Sequence, residues 1–194
     1  MTENGLVQEI REPARPSVSE PGELWVFGYG SLMWNPGFAF VERQNARLEG
    51  YARRLCIWSH HYRGTPAVPG LVFGLAPGGD CDGVAFRVEA ELREATLAYL
   101  RERELVSYVY REIFAPITLA DGARASALAY VADDENPQFA GVIPLQDALR
   151  IIRRSHGRSG PNIDYVLNTQ AELNRLGIED EELAAVCVAL EAER

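Results

Sequence analysis

The stretch Trp25-Val26-Phe27-Gly28-Tyr29-Gly30-Ser31-Leu32-Met33-Trp34 decides how this chain is read. Its first half is apolar and β-prone, the pattern of a buried strand. Gly28-Tyr29-Gly30-Ser31 then interrupts it. Glycines directly after a buried strand let the backbone turn sharply and approach a ligand closely. From Gly30 onward several N–H groups can point at one spot, forming a small nest for an anion or an oxyanion. The plainer alternative is a strand that ends in a tight glycine turn, and composition alone does not separate the two.

Downstream, the elements alternate in a β-rich order. Asn35-Pro36-Gly37 is a turn signal. Ala46 to Trp58 reads as a long strand bent at Gly50. His61 to Gly70 is a loop stiffened by Pro66 and Pro69. Arg63 lies in that loop, where an arginine either binds a carboxylate in bidentate fashion or stitches the loop to a neighbour. Leu71–Ala76 and Gly83–Val88 read as two strands joined by a hairpin at Pro77-Gly78-Gly79-Asp80. Glu91 to Arg103 has helical spacing. Tyr108–Leu119 and Ala125–Val131 are β-rich around an Asp121-Gly122 turn. Helices are expected over Pro144–His156, Asn162–Leu176 and Glu179–Glu193. About six or seven strands, mostly hairpin-connected and followed by late helices, predict an α+β fold: a mixed, largely antiparallel sheet curled into a small barrel, helices packed outside.

The length of 194 residues and 47% hydrophobic content fit one globular domain. Residues 1–22, with Pro13, Pro16 and Pro21, bury little and are expected to form a mobile arm on a domain spanning 23–194. Acidic residues number 28 against 19 basic, a net charge of −9. That argues against nucleic-acid and anionic-membrane partners. It leaves room for a small anionic substrate, because one arginine or a local nest outweighs a global charge. No apolar run approaches the roughly 20 residues of a membrane span. Met1–Ser19 has no apolar block, so no signal peptide is expected and a cytoplasmic protein is.

Cys56, Cys81 and Cys187 are far apart and lack metal-ligand spacing, so they read as free thiols. His60-His61, if on a strand, would point to opposite faces and would not share a metal. No Cys or His nucleophile is convincing. Glu104 is the candidate proton carrier. It ends the Glu91–Arg103 helix, where the negative end of the helix dipole disfavours a carboxylate, and Leu105-Val106 follow it. Both effects raise its pKa toward the range useful to a general base. The alternative is a solvated surface acid, as most of the 28 acidic residues must be.

Val26-Phe27-Gly28-Tyr29-Gly30-Ser31-Leu32-Met33-Trp34 resembles the signature of the γ-glutamylcyclotransferase fold, and more narrowly of its ChaC branch specific for glutathione. Further matches follow in order: Arg63-Gly64-Thr65-Pro66 with Pro69-Gly70; Gly83-Val84-Ala85-Phe86-Arg87; Tyr99-Leu100 then Arg103-Glu104; Asn136-Pro137 with Gly141; and Gly157-x-Ser159-Gly160-x-Asn162-x-x-Tyr165. The resemblance spans about residues 24 to 177. The chain departs from it at Val106-Ser107, where many relatives carry Gly-Gly, and at Tyr62, where some carry His.

The resemblance implies an enzyme that cleaves glutathione into 5-oxoproline and Cys-Gly, without cofactor or metal. The substrate's α-amine would attack its own γ-carbonyl. Glu104 matches the catalytic glutamate. The implied substrate-binding set runs through Val26, Phe27, Gly28, Tyr29, Gly30, Ser31 and Leu32. Backbone N–H groups around Gly28 to Leu32 would grip the γ-glutamyl part. Tyr29 and Tyr165 would act as wall or hydrogen-bonding residues, and Arg63 would meet the glycyl carboxylate. Two other readings are a cyclotransferase for other γ-glutamyl-amino acids or amines, and a non-catalytic γ-glutamyl-binding module. Oligomeric state is not legible.

Overall fold

All five residues of β1 (Leu24–Gly28) are buried. An uninterrupted apolar run needs this, because a half-solvated strand would alternate. The computed structural model describes residues 22–192. The expected arm therefore lies, Gly22 apart, outside the described residues. β1 runs antiparallel to β3 (Gly70–Val88), with Leu24 opposite Val88 and Gly28 opposite Val84. Its other edge runs parallel to β5 (Arg124–Ala132), through Trp25 with Ala127 and Val26 with Leu128. β2 (Glu42–Ser59) pairs with β3 and with β4 (Tyr110–Leu119), and β4 pairs with β5. The order β1-β3-β2-β4-β5 closes into a barrel, which leaves the sheet no free edge. The expected mixed, largely antiparallel barrel forms, with the β1–β5 seam as its parallel contact.

The helices are α1 (Arg93–Glu104), α2 (Leu145–Arg154), α3 (Asn162–Arg175) and α4 (Glu181–Ala192). α2, α3 and α4 pack on one another, and α2 and α3 also pack on β3. Asp180 caps α4 by accepting from the Leu183 N–H at 3.0 Å. Phe27, Phe86, Leu100 and Leu128 are wholly buried in the core, each contributing roughly 1.5–3 kcal/mol. Among the described residues, no helix is long and apolar enough to cross a membrane.

Two expectations are corrected. Pro77-Gly78-Gly79-Asp80 is not a hairpin. Both flanking segments pair with β2 instead of with each other, Leu71 opposite Trp58 and Gly83 opposite Ala46. The four residues lie inside one 19-residue strand. Glu49 pairs with Asp80 and Tyr51 with Pro77, so Gly78 and Gly79 face Gly50 alone, as a bulge. All three glycines take positive φ, which makes the double bend possible. A turn signal becomes a bend here because β2 is long enough to partner both halves. The second correction concerns α2, which stops at Arg154 and not at His156. His156–Gly157 and Gly160–Pro161 form a two-stranded ribbon, β6 and β7.

The three cysteines are free and buried, and burial pushes Cys56 up to about 12 and Cys81 and Cys187 to about 11. They are neutral packing residues at physiological pH. Tyr108, with φ of 54°, is the one non-glycine residue at positive φ among those described. The backbone position after Glu104 that favours glycine is thus 108, not 106 or 107.

Candidate active site

The chain leaves β1 at Gly28 and makes a single 3-10 turn over Ser31–Met33. Within it Met33 N–H donates to Gly30 O at 2.9 Å and Asn35 N–H to Ser31 O at 2.9 Å. Among the described residues, the N–H groups of Gly30, Ser31 and Leu32 have no carbonyl partner. The turn's carbonyls are held by arginines. Arg53 Nε donates to Tyr29 O at 2.7 Å, Arg43 Nη2 to Met33 O at 3.0 Å, and Arg103 Nη1 to Asn35 O at 2.6 Å. Carbonyls engaged by cations beside uncommitted N–H groups are what an anion nest requires.

Ser31, Trp34 and Asn35 of this turn line a cavity of about 460 Å³ at the barrel mouth. The end of β2 and the loop after it form a second side, α1 and its exit loop a third, and Gln138, Ser159 and Tyr165 complete it.

Glu104 lines this cavity from the last residue of α1. Its side chain is 19% exposed. Desolvation raises its pKa, opposed by the Arg103 guanidinium, whose Nε lies 3.0 Å from Glu104 Oε1. The carboxylate is within electrostatic reach of Tyr29, Tyr110, Tyr130 and Tyr165 and helps keep all four neutral, although their own burial is the larger cause. Three of these hydroxyls spend their protons inside the protein. Tyr29 donates to Tyr130 O, Tyr110 to Phe73 O, and Tyr130 to Glu112. Tyr165 instead accepts from Phe73 N–H at 3.3 Å, so its own proton is uncommitted.

Arg63 is placed by close backbone packing. A Cβ at Gly64 would stand 2.1 Å from Gly70 N, and one at Gly157 would stand 2.5 Å from the Tyr62 carbonyl. The β6–β7 ribbon docks there, with Arg158 N–H donating to His61 O and Ser159 N–H to Tyr62 O. The guanidinium donates to Pro161 O at 3.2 Å and lies over the Tyr165 ring at 5.5 Å. No carboxylate among the described residues lies within ion-pairing distance of it, and burial works against its charge. A half-buried, unpaired guanidinium in a cavity wall suits an incoming carboxylate. Asn162 clamps the neighbouring strand, accepting from Leu71 N–H at 2.7 Å and donating to Leu71 O at 2.8 Å.

Of the residues singled out in the sequence, Ser31, Arg63, Glu104 and Tyr165 meet in this cavity. Tyr29 and Gly30 stand just behind its wall, a Cβ at Gly30 lying 3.4 Å from the Tyr165 hydroxyl. Val26, Phe27, Gly28 and Leu32 are buried and do not line it. Val26 and Phe27 have their backbone inside the β1 pairings, so the structure gives them a scaffold position. Sequence reasoning missed Arg103. Its signal was the i, i+4 spacing from Tyr99, whose hydroxyl accepts from Arg103 Nη1 at 3.1 Å. His60 and His61, set aside in the sequence because strand neighbours point to opposite faces, both line the cavity, since they lie past the end of β2, where strand alternation no longer separates them.

A closed barrel whose first strand runs into a glycine turn at the mouth defines the γ-glutamylcyclotransferase-like fold class. The crystal structure of a yeast γ-glutamyl cyclotransferase specific to glutathione superposes with a TM-score of 0.82 at 23% identity, over 89% of this chain and 97% of that one. The chain belongs to the ChaC-like protein family, whose model matches residues 24–193. It is 33% identical to the glutathione-specific γ-glutamylcyclotransferase of Escherichia coli, over 88% of this chain and 74% of that protein. It is 36% identical to human glutathione-specific γ-glutamylcyclotransferase 1, over 88% and 80%.

Proposed function

We propose that this protein cleaves glutathione into 5-oxoproline and Cys-Gly by intramolecular cyclisation. The observation that carries the reading is a desolvated carboxylate, Glu104, lining the same cavity as the glycine turn and the unpaired Arg63 guanidinium. Similarity to relatives named for glutathione-specific cyclotransfer supports the substrate.

The α-ammonium of the γ-glutamyl group loses a proton to Glu104, and the freed amine attacks the γ-carbonyl carbon. Nucleophile and electrophile are in one molecule, so holding the chain in its cyclising shape supplies much of the rate. The resulting oxyanion is stabilised by the uncommitted N–H groups of Ser31, in the cavity wall, and of Gly30, just behind it, and by the Tyr165 hydroxyl proton. The C–N bond to Cys-Gly then breaks as protonated Glu104 gives its proton to the leaving nitrogen. The ring nitrogen, left positively charged by the attack, loses its second proton through the same carboxylate to the departing amine. Neutral 5-oxoproline lactam and the ammonium of Cys-Gly form, and Glu104 ends ionised as it began. Arg63 takes the glycyl carboxylate. The atoms balance without water or cofactor. A cytoplasmic location is part of the proposal, and three free buried thiols suit a reducing compartment.

The test is incubation of the purified protein with millimolar glutathione and, in parallel, γ-Glu-Ala, with mass spectrometry for 5-oxoproline. Product from glutathione is expected. Product from γ-Glu-Ala alone would move the substrate class, and product from neither would overturn the enzymatic reading.

A further inference from the structure

The turn's N–H groups must be aimed, and glycine by itself aims nothing. Gly30 is permissive on both sides of its Cα, so a peptide next to it can rotate at little cost. We infer that Arg53 is the positioning residue that sets the Tyr29–Gly30 peptide and, through Asp180, ties the nest to the head of α4. This rests on the reading of the turn as a γ-glutamyl site.

Arg53 lies in β2, is 6% exposed, and takes no part in the cavity wall. Its guanidinium makes three contacts in three directions. Nε donates to Tyr29 O at 2.7 Å, Nη2 to Asp82 O at 2.5 Å, and Nη1 to Asp180 Oδ2 at 2.5 Å. A planar fork held at all three of its nitrogens cannot swing without breaking one of these bonds. In a trans peptide the C=O and the following N–H point to opposite sides, and no cis bond occurs among the described residues. Drawing the Tyr29 carbonyl toward Arg53 therefore drives the Gly30 N–H the other way. That N–H has no acceptor among the described residues.

Arg43 and Arg103 hold turn carbonyls too, but at peptides with no free N–H. The N–H after Met33 O belongs to Trp34 and is spent on Ser31 O, and the residue after Asn35 is Pro36. Arg53 alone of the three grips a peptide whose N–H is uncommitted. Its buried charge needs a partner. Asp180 supplies it with Oδ2 while Oδ1 caps α4. α4 contributes nothing to the cavity, yet its cap residue holds the nest in register.

The experiment uses full-length protein labelled with 15N-glycine, wild type beside Arg53→Lys and Asp180→Asn. Lysine keeps the charge opposite Asp180 and loses the fork. Fold is checked by thermal melts, and kinetics are run well below each melting point. Glutathione kcat/KM is expected to fall about tenfold to a hundredfold in folded Arg53→Lys. 5-Oxoproline is expected to move the Gly30 amide resonance in the wild type and to move it much less in Arg53→Lys. Asp180→Asn should show a smaller loss of both. A Gly30 resonance that does not respond in the wild type overturns the inference. Folded Arg53→Lys within about threefold of wild-type kcat/KM, or with a wild-type Gly30 response, overturns the inference. Should Arg53→Lys not fold, Asp180→Asn decides by the same two readouts. A wild type that makes no 5-oxoproline overturns the functional reading and this inference with it. An active wild type with an indifferent variant overturns this inference alone.

Discussion

Arg103 Nη2 donates to the Ser31 hydroxyl at 3.1 Å across a separation of 72 residues. That bond joins the end of α1 to the head of the glycine turn. The same guanidinium meets Glu104 at 3.0 Å. Carboxylate and turn are thus set against each other by one side chain, and a shift of α1 would move both together.

Glu104→Gln is expected to fold and to lose about 10²- to 10⁴-fold in kcat, the range for a general base. Its melting temperature at neutral pH should not fall. Desolvation holds the folded-state pKa above the unfolded one, so the ionised group costs stability above the unfolded value, and a neutral amide removes that cost. Paired steady-state kinetics and melting curves check both halves. A variant retaining more than about a tenth of the activity would remove Glu104 from the mechanism.

The pH profile carries its own sign. Glu104 works as a base, so kcat/KM must fall as pH drops through its raised pKa, giving an acid limb above the ordinary carboxylate range. Arg103 acts against the shift through its charge and its hydrogen bond. Arg103→Gln should therefore move the acid limb to higher pH. A limb that stays in place or moves down would contradict this electrostatic account.

Arg63→Ala should raise KM for glutathione about tenfold to a hundredfold, equivalent to the ~1.5–3 kcal/mol of a charge-assisted hydrogen bond. Glutathione esterified at the glycyl carboxylate should suffer the same loss on the wild type. Variant and ester combined should lose little more than either alone. Additive losses would place the carboxylate elsewhere.

Tyr108→Gly should stabilise the protein by about 1 kcal/mol, because the left-handed conformation costs a bulky side chain on the order of 1–3 kcal/mol, partly offset by glycine entropy. Tyr108 is 73% exposed, so little packing is lost. A chemical denaturation midpoint shifted upward is the expected readout, and a downward shift would mean the ring holds the loop.

Local chemistry was well written in the chain. The run Leu24–Phe27 is apolar at every position, and only a strand paired on both edges and covered on both faces can bury it all. Asp121-Gly122 turned as its residues require, with Gly122 N–H donating to Leu119 O at 2.9 Å. The spacing from Gly157 to Tyr165 also has a local logic: Gly157 permits a close approach, Asn162 clamps Leu71, and Tyr165 reaches Phe73. Pro77–Asp80 misled for an equally physical reason. A proline-glycine cluster says that the backbone bends, but not whether the flanking strands pair with each other or with a third.

By itself, then, the sequence determined what short-range sterics and burial dictate: where strands and helices run, where the backbone must turn, and which carboxylate ends a helix. Only the tertiary structure decided which partners meet. Closure of the barrel brought Ser31, Arg63, Glu104 and Tyr165 to one cavity and withdrew Val26 and Phe27 from it. It also set Arg53 against Tyr29 and Arg103 against Ser31. Such contacts join residues distant along the chain, and their geometry exists only once the strands have chosen their registers.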